Sequence, residues 1–480
     1  MNIMRLPLIT SSLLIRHCYS FQPPLLLQSS TSSTAFLMTT TRNVAPPPPT
    51  SSSSTARSSV NNNVRIVSYN VLSSKLSRPS HFTHSNPEHL TMKYRLPLIL
   101  QKLKEEMDRP LSSGGAGVVD KIVEDQSLSS PPPTIFALQE ICYSFTSELH
   151  AFFAQRGYQF VTGLYGKKFN GYMGVGIAFP TEHFDTVKVD ICRLSDERID
   201  GWPREEIDED AAAAAKKGPG LIQKFSTVMN QFLRNRVMKQ LLGFHPEEQR
   251  KPIDPWEMSE NRFNVLVSVA LRHRHNNGAA SSFGDGTFLI SNYHMPCAFY
   301  APPVMNIHSE MVARRVQTLA ADVYGSLGED IKEDGVNTIP YILAGDFNIM
   351  PESPHYKLIT TGSLDKSDPT YPPSKFGVDW TVEAEAMDSA YAEVGEEPEF
   401  TNYAHIQDQE DPFIGTLDYI FLSRKAKTTR IIDEKVVGEW WKVHGVTKLP
   451  SVAASGGPFP NANEPSDHLL ISADLELVSK

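Results

Sequence analysis

Six short apolar runs in this chain each carry a polar side chain at or near one end, and this pattern constrains the fold more than any other feature. Residues 64–70 end in Asn70, and residues 134–140 end in Gln139 and Glu140. Residues 287–294 end in His294, and residues 341–348 end in Gly345, Asp346, Phe347 and Asn348. Residues 416–423 carry Asp418 inside an otherwise apolar stretch, and Ser466-Asp467-His468 opens a final apolar run at 469–477. Buried strands seldom end in polar groups unless those groups have partners. These ends can be one another's partners only if the strands lie side by side. Strand alternation places Asp346 and Asn348 on one face and Phe347 on the other. An Asx turn after a strand explains the same segment without any function.

Taken together, the ends supply carboxylates for a hard cation, amides to orient phosphate or water, and imidazoles to donate to phosphate oxygens. That inventory suits metal-assisted cleavage of a phosphate ester. A lone carboxylate at a strand end suits a cation that keeps most of its waters, so Glu140 is the expected Mg²⁺ ligand, with Mn²⁺ as a substitute. The bland role for Glu140 is to cap the helix that follows. An aspartate within an apolar strand needs a partner, as Asp418 does.

The motifs resemble, in order, those of the endonuclease/exonuclease/phosphatase superfamily. Within it they resemble the carbon-catabolite-repressor deadenylases and their relatives, Nocturnin and the Angel proteins. The resemblance rests on Ser68-Tyr-Asn-Val-Leu72, Leu138-Gln-Glu-Ile141, Gly345-Asp-Phe-Asn348 with Pro351-Glu-Ser-Pro354 and Tyr356, Phe400-Thr-Asn402, and Glu464-Pro-Ser-Asp-His468. It runs from about residue 64 to residue 478, apart from one insertion. It implies an α/β four-layer α-β-β-α sandwich of two mixed sheets, DNase I-like, with the site where strand ends of both sheets meet. It implies that Asn70 orients Glu140 or the phosphate, that Asp346 positions or deprotonates the attacking water, and that Asn348 holds a phosphate oxygen. It further implies that His468 and His294 donate to phosphate, that Asp467 binds a second metal or its water shell, and that Phe413 and Asn402 contact substrate, Phe413 by stacking on a base. The resemblance also implies that Asp418 accepts from one nitrogen of His468 and fixes its ring.

The activity so implied is that of a magnesium-dependent phosphodiesterase acting on single-stranded RNA as a 3′-exoribonuclease or deadenylase. A phosphatase or phosphodiesterase for a small molecule (a nucleotide 2′-phosphate, an inositol phosphate or sphingomyelin) is the alternative, and a non-catalytic binding module is the third reading. Two segments depart from the deadenylase spelling: Asn170-Gly-Tyr-Met-Gly-Val-Gly176, and Met295-Pro-Cys297 after His294. No leucine-rich repeat precedes the motifs, so docking by that route is not expected, and the chain is expected to act as a monomer.

A net charge of −10 argues against nonspecific coating of nucleic acid, yet a metal-dependent nuclease remains compatible because bound cations supply local positive charge. The four cysteines (Cys18, Cys142, Cys192 and Cys297) show neither disulfide nor zinc spacing. Residues 1–63 contain no Asp or Glu and are rich in Ser, Thr and Arg, which reads as a mitochondrial or plastid targeting segment, with the cytoplasm as alternative. Its apolar stretch at 6–15 is too short to span a bilayer. Residues 64–478 are expected to form the catalytic domain. Helical spacing predicts helices over 94–104, 144–156 and 309–324, and strand-like runs lie at 175–179, 187–191 and 263–271. Residues 112–133 read as a flexible loop, and residues 195–260 as a partly helical insertion with an amphipathic helix at 221–242.

Overall fold

The computed structural model describes residues 62–111, 118–119, 130–205, 253–274, 286–327, 337–407, 409–424 and 440–478. Nearly all of the expected targeting segment, and the amphipathic helix expected at 221–242, lie outside these residues.

The strands are β1 (Asn63–Asn70), β2 (Val118–Val119), β3 (Thr134–Ile141), β4 (Tyr158–Leu164), β5 (Gly174–Pro180), β6 (Phe184–Arg193), β7 (Val265–His273), β8 (Thr287–His294), β9 (Tyr341–Asp346), β10 (Met387–Ser389), β11 (Asn402–Ala404), β12 (Phe413–Gly415), β13 (Asp418–Ser423), β14 (Trp441–Thr447) and β15 (Ile471–Leu477). The helices are α1 (Met92–Asp108), α2 (Tyr143–Ala154), α3 (Pro255–Glu260), α4 (Pro302–Ser326) and α5 (Pro354–Thr361). One sheet runs β2-β14-β15-β1-β3-β5-β4, and the other runs β10-β13-β9-β8-β7-β6. Both are mixed: β1 pairs parallel with β3 but antiparallel with β15, and β9 pairs parallel with β8 but antiparallel with β13.

Alternation along each strand sorts side chains into three cores. Val64, Ile66, Ile135, Ala137, Ile290, Ile342, Ala344, Ile420 and Ile471 meet in a fully buried layer between the two sheets. Val67, Tyr69, Phe136 and Leu138 face the opposite way and pack with Ile99 and Leu103 of α1 and Phe145 and Phe153 of α2. Leu289, Tyr293, Leu343 and Phe421 face outward on the second sheet and pack with Val312, Val316 and Leu319 of α4. The layers are therefore helix, sheet, sheet, helix, as the motifs implied. The expected helices 94–104 and 144–156 are present as α1 and α2. The third begins earlier than expected, at Pro302, because two prolines fit a helix start whose first N–H groups have no intrahelical partner. Most of the segment expected as a loop at 112–133 lies outside the described residues; within it, Val118 and Val119 pair with Val446 and Thr447 at the sheet edge.

Between the apolar inter-sheet core and its open end lies a buried polar layer. Gln139 Nε2 donates to Ser68 Oγ at 3.1 Å and to Asn292 Oδ1 at 2.9 Å, and Asn292 Nδ2 donates to the Leu138 and Gly176 carbonyls at 2.8 Å each. These amides tie β1, β3 and β5 of one sheet to β8 of the other. In a dry interior they hold only if paired, so they fix how the two sheets sit against each other.

Gly345 joins the apolar part of β9 to Asp346. Its φ is 153°, and a Cβ there would run into the Tyr293 carbonyl oxygen of the neighbouring strand. Gly345→Ala is expected to cost more than ~3 kcal/mol, by backbone strain together with the clash. Thermal denaturation would show it as a melting temperature far below that of the parent protein.

Candidate active site

The inward-facing positions of four strands do not stop where the apolar core ends. Past Ile66, Ile290, Ala344 and Ile420, the same faces carry Asn70, His294, Asp346 and Asp418. Strand register then sets three of these side by side. His294 pairs with Asp346 across β8 and β9, and Asp418 pairs with Asp346 across β13 and β9. Asp418 was expected within an apolar strand, but it is the first residue of β13. The Thr401 hydroxyl accepts the Leu417 and Asp418 N–H groups at 2.9 and 3.1 Å, so the strand starts on that side chain.

Glu140 breaks the alternation. By period two it would point outward with Phe136 and Leu138, into the α1–α2 core. A bulge between Gln139 and Ile141 intervenes, with Glu140 at φ 56°, and brings the carboxylate to the site. Its Oε2 accepts the Ser73 N–H at 2.8 Å, and its Oε1 lies 3.4 Å from Asn70 Nδ2. It does not cap α2, whose N-cap residue is Cys142. Burial pushes the Glu140 carboxyl up, against the opposing pull of the Ser73 N–H that it accepts.

Asp346 is the hub. Its Oδ2 accepts from Asn70 Nδ2 at 2.9 Å and lies 3.5 Å from His294 Nε2 and 3.7 Å from His468 Nε2. Its Oδ1 accepts the Asn348 N–H at 3.0 Å. The two explanations of the Gly-Asp-Phe-Asn segment thus hold together: one carboxylate oxygen closes an Asx turn and the other faces the site. Phe347 packs in the outer core, and Asn348, at φ 51°, donates to the Met295 carbonyl at 3.0 Å.

His468 Nδ1 lies 2.7 Å from Asp418 Oδ2, and that oxygen also accepts from Thr401 Oγ1 at 2.6 Å. Burial opposes a charge on His468, but Asp418, Asp346 and Asp467 together outweigh it and raise its pKa well above the usual imidazole value. Ligand atoms of Asp346, Asp418 and His468 lie close enough to hold an ion. Asp418 Oδ2 accepts from Thr401 and pairs with His468 Nδ1, so the trio forms a hydrogen-bond relay. Glu140, Asp346 and Asp467 all line the same cavity, and carboxylate oxygens are the donor type that suits a hard divalent cation such as Mg²⁺ or Mn²⁺.

Glu140, His294, Asp346, Asn348, Asn402, Phe413, Asp467 and His468 all line one cavity of about 900 Å³. Asn70 and Asp418 sit behind it and reach it through their partners. The β11–β12 hairpin carries Asn402 and Phe413 to the rim. Phe299, two residues past the divergent Met295-Pro-Cys297, also lines the cavity, its ring centroid 6.4 Å from that of Phe413.

Sequence reading missed several supports. Asn264 Nδ2 donates to the His294 carbonyl at 2.7 Å and to Tyr165 Oη at 3.4 Å, which turns the phenol proton toward His294 Nδ1, also 3.4 Å away. Arg95 is fully buried in α1 and donates to the carbonyls of Val71, Leu72 and Pro465, clamping the β1 exit to the Ser-Asp-His loop. The Phe-Thr-Asn segment pointed toward Thr401. Nothing in the pattern singled out Tyr165, Asn264 or Arg95.

No family model matches the chain. Over 147 residues it is 35% identical to the CCR4-Not complex 3′-5′-exoribonuclease subunit Ccr4 of Phaeosphaeria nodorum, a match covering 30% of this chain and 21% of that protein. Over 142 residues it is 29% identical to carbon catabolite repressor protein 4 homolog 4 of Arabidopsis thaliana, covering 28% of this chain and 27% of that protein. The matched stretch thus spans only 21% and 27% of these two relatives. The solved structure of ANGEL2, a 2′,3′-cyclic phosphatase, in complex with adenosine-2′,3′-vanadate, superposes with a TM-score of 0.52 at 16% identity, over 87% of this chain and 96% of that one. The fold is accordingly DNase I-like, and the sequence relatives are of the deadenylase branch that the motifs resemble.

The raised pKa of His468 has a consequence for stability. Its charge contributes stability that is fully present below the unfolded imidazole pKa of about 6.5 and is lost as pH rises through the higher folded value. Asp418→Asn removes the nearest anion. In chelator, the stability advantage of the parent protein over this variant should be largest near pH 6 and shrink toward pH 10, as read from melting temperatures across that range.

Proposed function

We propose that this chain, whose fold is that of the endonuclease/exonuclease/phosphatase superfamily, is a divalent-metal-dependent hydrolase that cleaves phosphodiesters of single-stranded RNA from the 3′ end. The observation that carries this reading is the convergence of Glu140, His294, Asp346 and His468, from both sheets, on one cavity. The RNA assignment is supported by the sequence relatives, which are named as 3′-5′-exoribonuclease subunits.

Glu140 and Asp467 would hold Mg²⁺, which when bound supplies Lewis-acid polarisation of a phosphate oxygen. Asp346 faces the cavity with Oδ2, where it orients the attacking water and takes its proton. Asn70 holds that oxygen in place from behind, so the carboxylate needs no reorganisation as charge moves. His468 is kept protonated by Asp418 and donates from Nε2 to the phosphate as negative charge builds there. His294 takes the Tyr165 hydroxyl at Nδ1, which leaves an N–H on Nε2 for the phosphate or the departing oxygen. Asn348 has one amide hydrogen on the Met295 carbonyl and a second for a phosphate oxygen. Asn402 contacts the nucleotide at the rim, and the half-buried Phe413 ring offers a face on which a base stacks.

The discriminating experiment incubates the protein with Mg²⁺ and labelled oligo(A), oligo(U), single-stranded DNA and bis-p-nitrophenyl phosphate. Stepwise shortening of the RNA supports the proposal. Cleavage of none with retained binding points to a binding module, and turnover of only small esters points to a small-molecule phosphatase. Glu140→Gln should lower Mg²⁺-dependent turnover by roughly 10²-fold or more while circular dichroism stays unchanged. Phe413→Ala should raise KM for RNA by about 5- to 150-fold, the equivalent of losing ~1–3 kcal/mol of stacking. Hydrolysis of bis-p-nitrophenyl phosphate by that variant should be unaffected.

A further inference from the structure

Beside the cavity, a short loop departs from what a solvent-facing turn requires. Phe169, Tyr172 and Tyr143 expose 64%, 49% and 73% of their surface, although large rings are usually covered. Tyr172 has φ 54°, directly after Gly171 at φ 71°. A tyrosine in that conformation is strained where Gly or Asn would be at ease, and such outliers cluster at functional sites. The loop is nonetheless firmly held. Asn170 Oδ1 accepts the Lys167 N–H at 2.7 Å, and Ser73 Oγ donates to the Asn170 carbonyl at 2.7 Å. The Tyr143 N–H donates to the Gly171 carbonyl at 2.9 Å. Ser73 is also the residue whose N–H holds Glu140, so the platform is tied directly to the site.

Two exposed lysines belong to the same surface, Lys168 within the loop and Lys75 beside it. Lys75 and Lys168 have no carboxylate partner among the described residues, and the Lys75 stem lies against Gly171. Lys167 and Phe169 continue the strip into the cavity wall. In a chain of net charge −10, unpaired lysines interleaved with bare aromatic rings form a local surface opposite in character to the whole. Rings that accept any base, set among cations that track a phosphate backbone, are how single strands are gripped without sequence readout.

We infer that Tyr143, Tyr172, Lys75 and Lys168 form a stacking track for several nucleotides of single-stranded RNA lying outside the cavity. The inference rests on the hydrolase reading for the identity of the strand and names its substrate class as a polynucleotide, in preference to a mononucleotide.

Fluorescence anisotropy of a labelled dodecameric oligo(A), in chelator to prevent cleavage, tests it. The parent protein should bind the dodecamer at least tenfold more tightly than AMP. Tyr143→Ala/Tyr172→Asn should weaken dodecamer binding about tenfold or more. Lys75→Gln/Lys168→Gln should reduce the slope of log affinity against log salt by about 1.4, at ~0.7 per cation lost. Both variants should hydrolyse bis-p-nitrophenyl phosphate with Mg²⁺ at the parent rate. Equal binding of dodecamer and AMP by the parent, or parent-like dodecamer binding by both variants, would overturn the track. So would variants that change only the mass seen by light scattering, since the face would then pair copies of the chain. A parent protein that grips the dodecamer but hydrolyses nothing overturns the hydrolase reading and leaves the track standing. One that hydrolyses the small ester but prefers no dodecamer overturns the track alone.

Discussion

The site depends on strand register at the open end of the inter-sheet core. Parallel pairing of β8 with β9 and antiparallel pairing of β9 with β13 place His294, Asp346 and Asp418 in one row. Because side chains alternate with period two, a slip of one residue in either pairing would send that residue's side chain to the helix-covered face. The apolar core and the reactive groups therefore belong to the same faces of the same strands. The alternation that buries Ile290, Ala344 and Ile420 also aims the polar residues beyond them.

Two sheets must then hold a fixed relation, since Asn70 and Glu140 come from one and the row of three from the other. The Gln139–Asn292 amide pair crosses between them in the buried layer just below the site. Arg95 and Ser466 act at the other side. Arg95 joins the β1 exit to the Pro465 carbonyl, and Ser466 Oγ donates to the Asn70 carbonyl at 2.6 Å. His468 thus reaches Asp346 from a loop that is pinned to β1 as firmly as a strand would be. Polar groups in a dry interior are costly when unpaired, so this network favours one arrangement of the sheets over neighbouring ones.

Much of this was legible in the residues. Short apolar runs ending in polar groups gave the strands and their site-facing ends, and helical spacing gave α1 and α2. That Asp418 needs a partner followed from its place in an apolar run; that the partner is His468 was implied by the resemblance. Residues that act through geometry alone were harder to see. Tyr165 follows β4 and Asn264 precedes β7, far apart in the chain, and nothing in either segment shows that both meet His294. Arg95 sits at an ordinary position of an amphipathic helix, and only the carbonyls around it show why a guanidinium is buried there.

The sequence by itself determined which groups are available and which strand ends carry them, because periodicity and composition are local properties. It showed Gly345 ahead of Asp346, but why no Cβ fits there, against the Tyr293 carbonyl of the neighbouring strand, only the pairing of β8 with β9 shows. Only the tertiary structure decided that Glu140 joins the site. By alternation alone it belongs in the α1–α2 core, and a bulge with a left-handed backbone re-aims it. That bulge is set by how β3 pairs with β5 and by the Ser73 N–H that receives the carboxylate. These contacts join residues distant in the chain, and no local pattern encodes them.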